Sequence, residues 1–396
     1  MIDDLETANA LREALDEEVA RHQFAADSWP VIARHQSSRP WWRTRANQLA
    51  PAVAAVAIAA ALVVVLIAGR PGTSQSVGGP QVQRHDSWLT KESVLRLPGT
   101  GHGIIQLAAG YGAIWVGGLG VTYRVDPATD RIVDTISTPK AGRFSQVATG
   151  LGSAWVSSSN PNGTGLGIYR IDPRRDRVTA FIPLPGTGRP ASLAAAYGSV
   201  WATSTTRHGS VLRIDPKTGQ VVGQPILVTA SVPRAIVAGF GRLWVNAKGV
   251  NAPVTLINPA TGKVIEGPAW AKITDVSAVG DGSLWTIGDN TVQRVNPATG
   301  KVTASVSLAR PAQVMFVRGV AVVITTPMAS VVPHADVHSF ELHTATCIDP
   351  ATSKLACHPV QLGGLPVFLT TAPDGLWSIN LTFRTLTHYT VTAPSS

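Results

Sequence analysis

Charge is scarce in this sequence: 14% of its 396 residues are Asp, Glu, Lys or Arg, against 44% apolar. That balance excludes a disordered chain and is low for a cytosolic enzyme. Beyond residue 90 glutamate nearly vanishes. Only Glu92, Glu266 and Glu341 remain, and none sits in a repeat phrase beside a histidine. There is no catalytic Ser-His-Asp spacing, no phosphate-binding glycine loop ahead of a helix and no nucleic-acid module. Cysteine occurs twice, at Cys347 and Cys357, outside any C-x2-C spacing, which argues against a metal-binding role for the pair. These absences point away from an enzyme and imply no cofactor.

What charge there is has a location. The net charge is +9, and arginine far outnumbers lysine; with abundant Ala, Gly, Val and Pro, this reads as GC-rich coding. Residues 1–46 carry eight acids against six arginines, so the positive excess lies downstream. An uncharged run, "LAPAVAAVAIAAALVVVLIAG" (residues 49–69), is long enough to cross a bilayer. Trp41 and Trp42 precede it, as do Arg34, Arg39, Arg43 and Arg45. The positive-inside rule then gives a single-pass topology with a cytoplasmic N-terminus. The organisation expected is an acidic, amphipathic helical cytoplasmic segment over 1–47, able to meet a cytoplasmic protein partner. It is followed by an uncleaved transmembrane helix over 48–69, a Gly/Pro/Ser-rich linker over 70–90 and an extracytoplasmic domain over 91–396, placing the protein in the cell membrane.

Repeats dominate the last part. Six turns echo one another, from "RVDPATD" at Arg124 and "RIDPRRD" at Arg170 to "CIDPATS" at Cys347. Each follows a "G-x-G-x-x-W" phrase, with tryptophans at 115, 155, 201, 244, 285 and 377 and a degenerate copy ending at Val322. The period of about 40–46 residues is that of a four-stranded propeller blade. Asp or Asn can bond the backbone ahead of it, Pro presets φ and Gly supplies positive φ, so the repeated turn reads as a hairpin joining two outer strands. The tryptophan should fill the space between neighbouring sheets. The phrase at 96–115 matches that at 183–201. Residues 92–97 therefore correspond to an outermost strand with no blade before them and should complete the last blade, hiding both edges. The fold expected is all-β: a seven-bladed propeller of four-stranded blades, closed by its N-terminal strand.

The unit "G-x-G-x-x-W-V … R-I-D-P-x-T-G-x-V" resembles the YVTN-type and virginiamycin B lyase-like β-propeller repeats of bacteria. The layout of short segment, anchor and propeller resembles actinobacterial membrane proteins that accompany alternative sigma factors. The resemblance implies sensors, scaffolds or occasional enzymes. Its lyase members use a metal-assisted His/Glu site, which this chain does not reproduce; an anchored lyase or hydrolase is the alternative to a binding or sensory module.

Three constellations stand out. In the connections leading into the innermost strands, 10 to 13 residues before the Trp or its equivalent, stand His102, Arg143, Arg189, Arg234, Lys272 and Arg310, one in each of six of the seven blades. Gln106, Gln146, Ser192 and Gln313 follow, where alternation could aim them at the channel. The basic residues would ring one channel mouth and bind an anionic ligand or acidic partner. "HADVHSFELH" (334–343) gathers His334, Asp336, His338, Glu341 and His343 and reads as a solvated loop, with a metal site as the alternative. Cys347 and Cys357 flank the sixth hairpin turn, close enough for a disulfide.

Overall fold

The computed structural model describes residues 88–392 apart from 99–105, 142–144, 160–164, 185–187, 189, 206–208, 229–231, 248–251, 268–272, 274, 327–342, 363–365, 374 and 381–383. Within the described residues the chain folds into seven antiparallel sheets. Blade one is typical: Gln106–Gly110, Ala113–Gly117, Val121–Asp126 and Arg131–Ser137 lie side by side in chain order. Its second strand, "AIWVG", is buried along its whole length, whereas the outermost alternates between half-buried and exposed. The innermost strands touch one another in succession, and that of blade seven, Pro366–Ala372, returns to that of blade one. The ring is closed.

Closure follows the expectation from the repeats. Leu89–Arg96 pairs with Thr385–Val391 and forms the outermost strand of blade seven, with Leu89 opposite Val391 and Arg96 opposite Thr385. The strand starts three residues earlier than the 92–97 expected. Trp88, just ahead of it, donates its indole N–H to the His358 carbonyl of blade six at 2.7 Å. The strand that closes blade seven is thus also stitched to its neighbour.

Tryptophan makes the seams. Trp115 packs against Ala154, Val156, Tyr169 and Ile171 of blade two. Trp155, Trp201, Trp244, Trp285 and Trp377 do the same one blade further on each time, Trp377 against Ile114, Val116 and Val125 of blade one. All six are at most 1% exposed. Each fills a slot that truncation would leave empty, at a cost of about 3–5 kcal/mol. Between blades six and seven Val322 stands in place of Trp, and Met315, Ile324 and Leu362 help fill the seam.

Blade six departs in a second way. Its outer strand is broken into Lys354–Leu355 and Val360–Gln361, both paired with Thr344–Asp349. Cys357 lies in the break and is disulfide-bonded to Cys347, with Cα atoms 5.1 Å apart. The bond expected from the sequence is present, and it fastens the interruption to the third strand.

The membrane topology is corrected. Among the described residues no helix occurs, and none is long and apolar enough to cross a membrane. The segments expected over 1–47 and 48–69 lie outside the described residues, as does most of the 70–90 linker. The single-span anchor, the helical cytoplasmic segment with its protein partner, the membrane as a partner and the extracytoplasmic placement have no support in the structure.

Candidate functional site

Antiparallel blades give the propeller two unlike ends. The hairpins joining strands one to two and three to four lie at one end, here the turn face. The loops joining strands two to three and the blade-to-blade connections lie at the other, the connection face.

At the turn face the six Asp-Pro or Asn-Pro turns are built as expected. The Asp126, Asp172, Asp215, Asn258, Asn296 and Asp349 Oδ1 atoms each accept a hydrogen bond from the backbone N–H two residues on, at 2.6–3.0 Å. The residue two before that Asp or Asn was read as part of the turn scaffold, but it does more. Arg124, Arg170, Arg213 and Arg294 sit directly across from Trp115, Trp155, Trp201 and Trp285, each guanidinium 5.5–6.0 Å from the indole centroid. Each then reaches the next blade's outer turn. Arg170 donates to the Pro216 carbonyl at 3.1 Å, Arg213 to Ala260 at 3.5 Å and Arg294 to Pro350, while Arg124 pairs with Asp176 at 2.8 Å.

Blade four has Leu256 opposite Trp244, so the clasp is missing from the third strand. It is supplied from the second: Arg242 donates to the Pro297 carbonyl at 3.0 Å. In blades two, three and five the place of Arg242 is held by Ser153, Ser199 and Ser283, whose hydroxyls accept from the clasping arginine. Arg318 spans blades six and seven through the Pro373 carbonyl, 3.3 Å away. His388 joins blade seven to blade one. The clasp therefore passes round every seam.

Nearer the axis, the "G-x-G" glycines end tight inner hairpins. Tyr111 and Gly112 have φ of 55° and 67°, and the same pair of positive angles recurs at Leu151–152, Tyr197–198, Phe240–241, Asp281–282 and Arg318–319. Two left-handed residues in a two-residue loop make a type I′ turn, which favours Asn, Asp or Gly at the first place. Gly110 also has to be glycine, because a Cβ there would meet Thr149 Oγ1 of blade two at 2.5 Å.

Three tip residues are large and exposed: Tyr111 at 42%, Tyr197 at 40% and Phe240 at 43%. The Tyr111 and Tyr197 hydroxyls accept from Gly152 N–H and Gly241 N–H of the following tip, at 2.6 and 3.0 Å. Tyr111 stands between two open cavities. One, of about 910 Å³, follows the seam of blades one and two past Arg124, Arg170, Arg174 and Arg175. The other, of about 450 Å³, is lined by Pro127, Phe316, Arg318, Thr371 and Pro373.

At the connection face, five of the nine residues expected at the channel mouth are described. Arg234, in Pro233–Gly239 of blade four, is exposed. Arg310 lies just ahead of the innermost strand of blade six, Pro311–Val317, two residues earlier in the register than Arg234, with φ of 49° and its N–H donating to Asn290 Oδ1 at 3.4 Å. Gln106, Gln146 and Gln313 are half-buried at the beginning of innermost strands. His102, Arg143, Arg189 and Lys272 lie outside the described residues. The Ser192 hydroxyl accepts from Ile236 N–H of blade four at 3.1 Å, so that polar position is used to join blades.

The basic series is interrupted by a carboxylate that sequence reasoning missed. Asp275, in the connection leading into blade five, lies beside Arg234. It is reachable by solvent, yet enough protein surrounds it that desolvation pushes its carboxyl above the usual range, with Arg234 drawing it back. Asn246, buried behind it, donates to Asp275 Oδ1 at 3.4 Å and to the Val276 carbonyl at 2.8 Å.

Among the described residues no group of three or more His, Cys, Asp and Glu could hold a metal ion. Of the 334–343 cluster, His334, Asp336, His338 and Glu341 lie outside the described residues; the His343 backbone carbonyl accepts from Leu362 N–H at 2.8 Å.

Comparison places the chain among β-propellers. A chain of a mitotic checkpoint complex superposes with a TM-score of 0.57 at 14% identity, over 82% of this chain and 98% of that one. The WD40 β-propeller domain of Doa1 gives 0.54 at 12% identity, over 77% and 97%. BamB from Moraxella catarrhalis gives 0.50 at 12%, over 76% and 99%. At these identities the likeness carries the fold alone. No family model and no curated protein matches the chain. The resemblance to YVTN-type and virginiamycin B lyase-like repeats is thereby corrected to a likeness of fold, and the lyase and sigma-factor readings go with it.

Proposed function

We propose that the chain is a binding module without catalytic chemistry of its own, and that its connection-face mouth takes an anionic group. The observation that supports this most directly is positional. Arg234 and Arg310 hold the same connection in blades four and six, and Arg234 is exposed there. His102, Arg143, Arg189 and Lys272 fall in the corresponding connections of other blades, 12 or 13 residues ahead of each tryptophan. Like charges set around one axis repel without a counter-ion, and a low-dielectric rim concentrates their field at the opening. The arginine fork pairs with a carboxylate or phosphate through two parallel bonds.

Isothermal titration with inorganic phosphate, citrate and a hexaglutamate peptide at low salt tests the reading. At least one should bind, and replacing Arg234 and Arg310 together by Ala should weaken it about 5–30-fold, from roughly 0.5–1 kcal/mol per exposed contact. Binding by none of the three, or an unchanged affinity and salt dependence in the double variant, would overturn it.

A further inference from the structure

The opposite end of the propeller carries a second pattern, independent of the first. In blades one to four the leading residue of the inner turn is Tyr111, Leu151, Tyr197 and Phe240, all with φ between 52° and 55°. Bulky side chains are disfavoured in the left-handed region, which Asn, Asp or Gly occupies at less cost. Blade five shows the cheaper solution, Asp281. Tyrosine hydroxyls latch two neighbouring tips, which gives Tyr111 and Tyr197 a structural use. Leu151 is half-buried against the core between blades two and three, but Phe240 has no hydroxyl and is 43% exposed, and its retention at a strained, solvent-facing position calls for another explanation.

Outside this apolar crescent runs a basic rim. The outer hairpin of every blade from one to six has an exposed cation at or beside its tip: Arg131, Arg174, Lys217, Lys263, Lys301 and Lys354. Among the described residues, the carboxylates of the outer and inner turns on the same face are engaged. Asp126, Asp172, Asp215 and Asp349 accept from their own turns, and Asp130, Asp176 and Asp281 pair with His388, Arg124 and Arg294.

We propose that the turn face docks an acidic polypeptide segment bearing aromatic or long aliphatic side chains. Its apolar residues lie along the Leu151, Tyr197 and Phe240 tips and reach the smaller cavity beside Tyr111, while its carboxylates meet the Lys and Arg rim and the arginines of the larger cavity. An anionic bilayer fits less well. The exposed tip side chains are more than half covered, and Tyr111 and Tyr197 bond to the following tip, so they do not project as membrane wedges, and the cavities beside Tyr111 are concave.

The test is selection of a random 12-residue phage-displayed peptide library on the intact chain. Enriched peptides should combine Asp or Glu with Phe, Tyr, Trp or Leu, and should bind more weakly as salt rises. Phe240→Asn places a favoured residue in its turn, so the fold should hold while affinity falls at least about tenfold. Lys217→Glu with Lys263→Glu should produce a similar loss without touching the tips. Enrichment of peptides without acidic residues, or wild-type affinity for the enriched peptide in either Phe240→Asn or Lys217→Glu/Lys263→Glu, would overturn the proposal. So would binding to phosphatidylserine vesicles that Phe240→Asn abolishes while no peptide is enriched. Replacing Arg234 and Arg310 at the other end should leave peptide binding unchanged, which separates this proposal from the reading of the connection face.

Discussion

His388 Nδ1 lies 2.9 Å from Asp130 Oδ1, joining the last blade to the outer hairpin of the first across 258 positions of sequence. The imidazole is stacked flat on Trp377, with centroids 4.3 Å apart and planes 7° from parallel. It stands directly across from Trp377, where other blades place arginine. The side chain is 6% exposed and that of Asp130 23%. His388 therefore does for the closing seam what arginine does elsewhere, with a shorter, flatter ring.

His388→Ala should lower stability by about 1–3 kcal/mol, because it removes a mostly buried hydrogen bond and leaves the Asp130 carboxylate without its partner. Asp130→Ala should cost less, and the two changes together should cost less than their sum. Thermal unfolding of the four proteins measures the coupling. Strict additivity would show that the pair does not hold the seam.

The arginine clasps predict a rescue. Arg242→Ala should destabilise the blade four–five seam by about 1–2 kcal/mol, as Arg170→Ala should at the blade two–three seam. Arg242→Ser with Leu256→Arg rebuilds the arrangement of blades two, three and five, and should recover most of the loss. If Arg242→Ser alone is as stable as the double variant, the clasp from the second strand contributes nothing.

How much of this could be read from the sequence follows from what a repeat can report. Blade number, the Asp-Pro hairpins, the tryptophan seams and the closing strand recur at a fixed period, so a single chain displays them several times over. The clasps were hidden in plain view. Arg170 was visible in its own "RIDP" copy, but its partner carbonyl at Pro216 is 46 positions away and belongs to the next unit. The tips were likewise present in "GYGAIW" and "GFGRLW". The signal was a bulky residue where a type I′ turn prefers Asn, Asp or Gly. Asp275 and His388 are single departures from the repeat, and periodicity is blind to those. The transmembrane expectation came from hydropathy alone, outside the repeats, and found no support among the described residues.

Reduction of the Cys347–Cys357 bond should loosen blade six before the rest. The closed loop is short, so its entropic contribution is about 2–3 kcal/mol, and it bridges the break in the outer strand. Mild reductant should raise hydrogen exchange of Ala356 N–H and Leu362 N–H, which bond to Cys347 and His343 carbonyls. The inner strands, including fully buried Ala321, Val322 and Val323, should stay protected. Exchange spreading evenly over all blades would mean that the bond holds the whole ring.

Acid should act on some outer hairpins and spare others. Backbone N–H groups of Arg174 and Lys217 hold the Asp172 and Asp215 carboxyls below the usual range, and the Thr352 hydroxyl with Ala351 N–H does so for Asp349. A depressed folded value contributes stability above the unfolded pKa, near 4, and that contribution is lost as pH falls through the folded one. The turns of blades two, three and six should therefore fray in acid. Those of blades four and five, built on Asn258 and Asn296, do not titrate and should be unaffected. Amide exchange at Lys217 compared with Ala260 between pH 5 and pH 2 reads the difference directly.

Asp275 runs the other way. Desolvation raises its carboxyl in the fold, so the folded chain holds that proton more tightly than the unfolded one, and stability falls as pH rises above the ordinary carboxylate value. Asp275→Asn keeps an acceptor for Asn246 and removes a charge that the surrounding protein partly desolvates. It should raise the melting temperature at pH 7, with the advantage shrinking toward pH 4. It also removes a negative charge beside Arg234, so an anion bound at the connection-face mouth should be held more tightly by the variant at pH 7. The wild-type chain should gain affinity as pH falls and Asp275 takes up its proton. A variant less stable than wild type at pH 7 would show that the Arg234–Asp275 attraction outweighs desolvation. In that case the carboxylate belongs to the structure of the mouth and does not oppose its ligand.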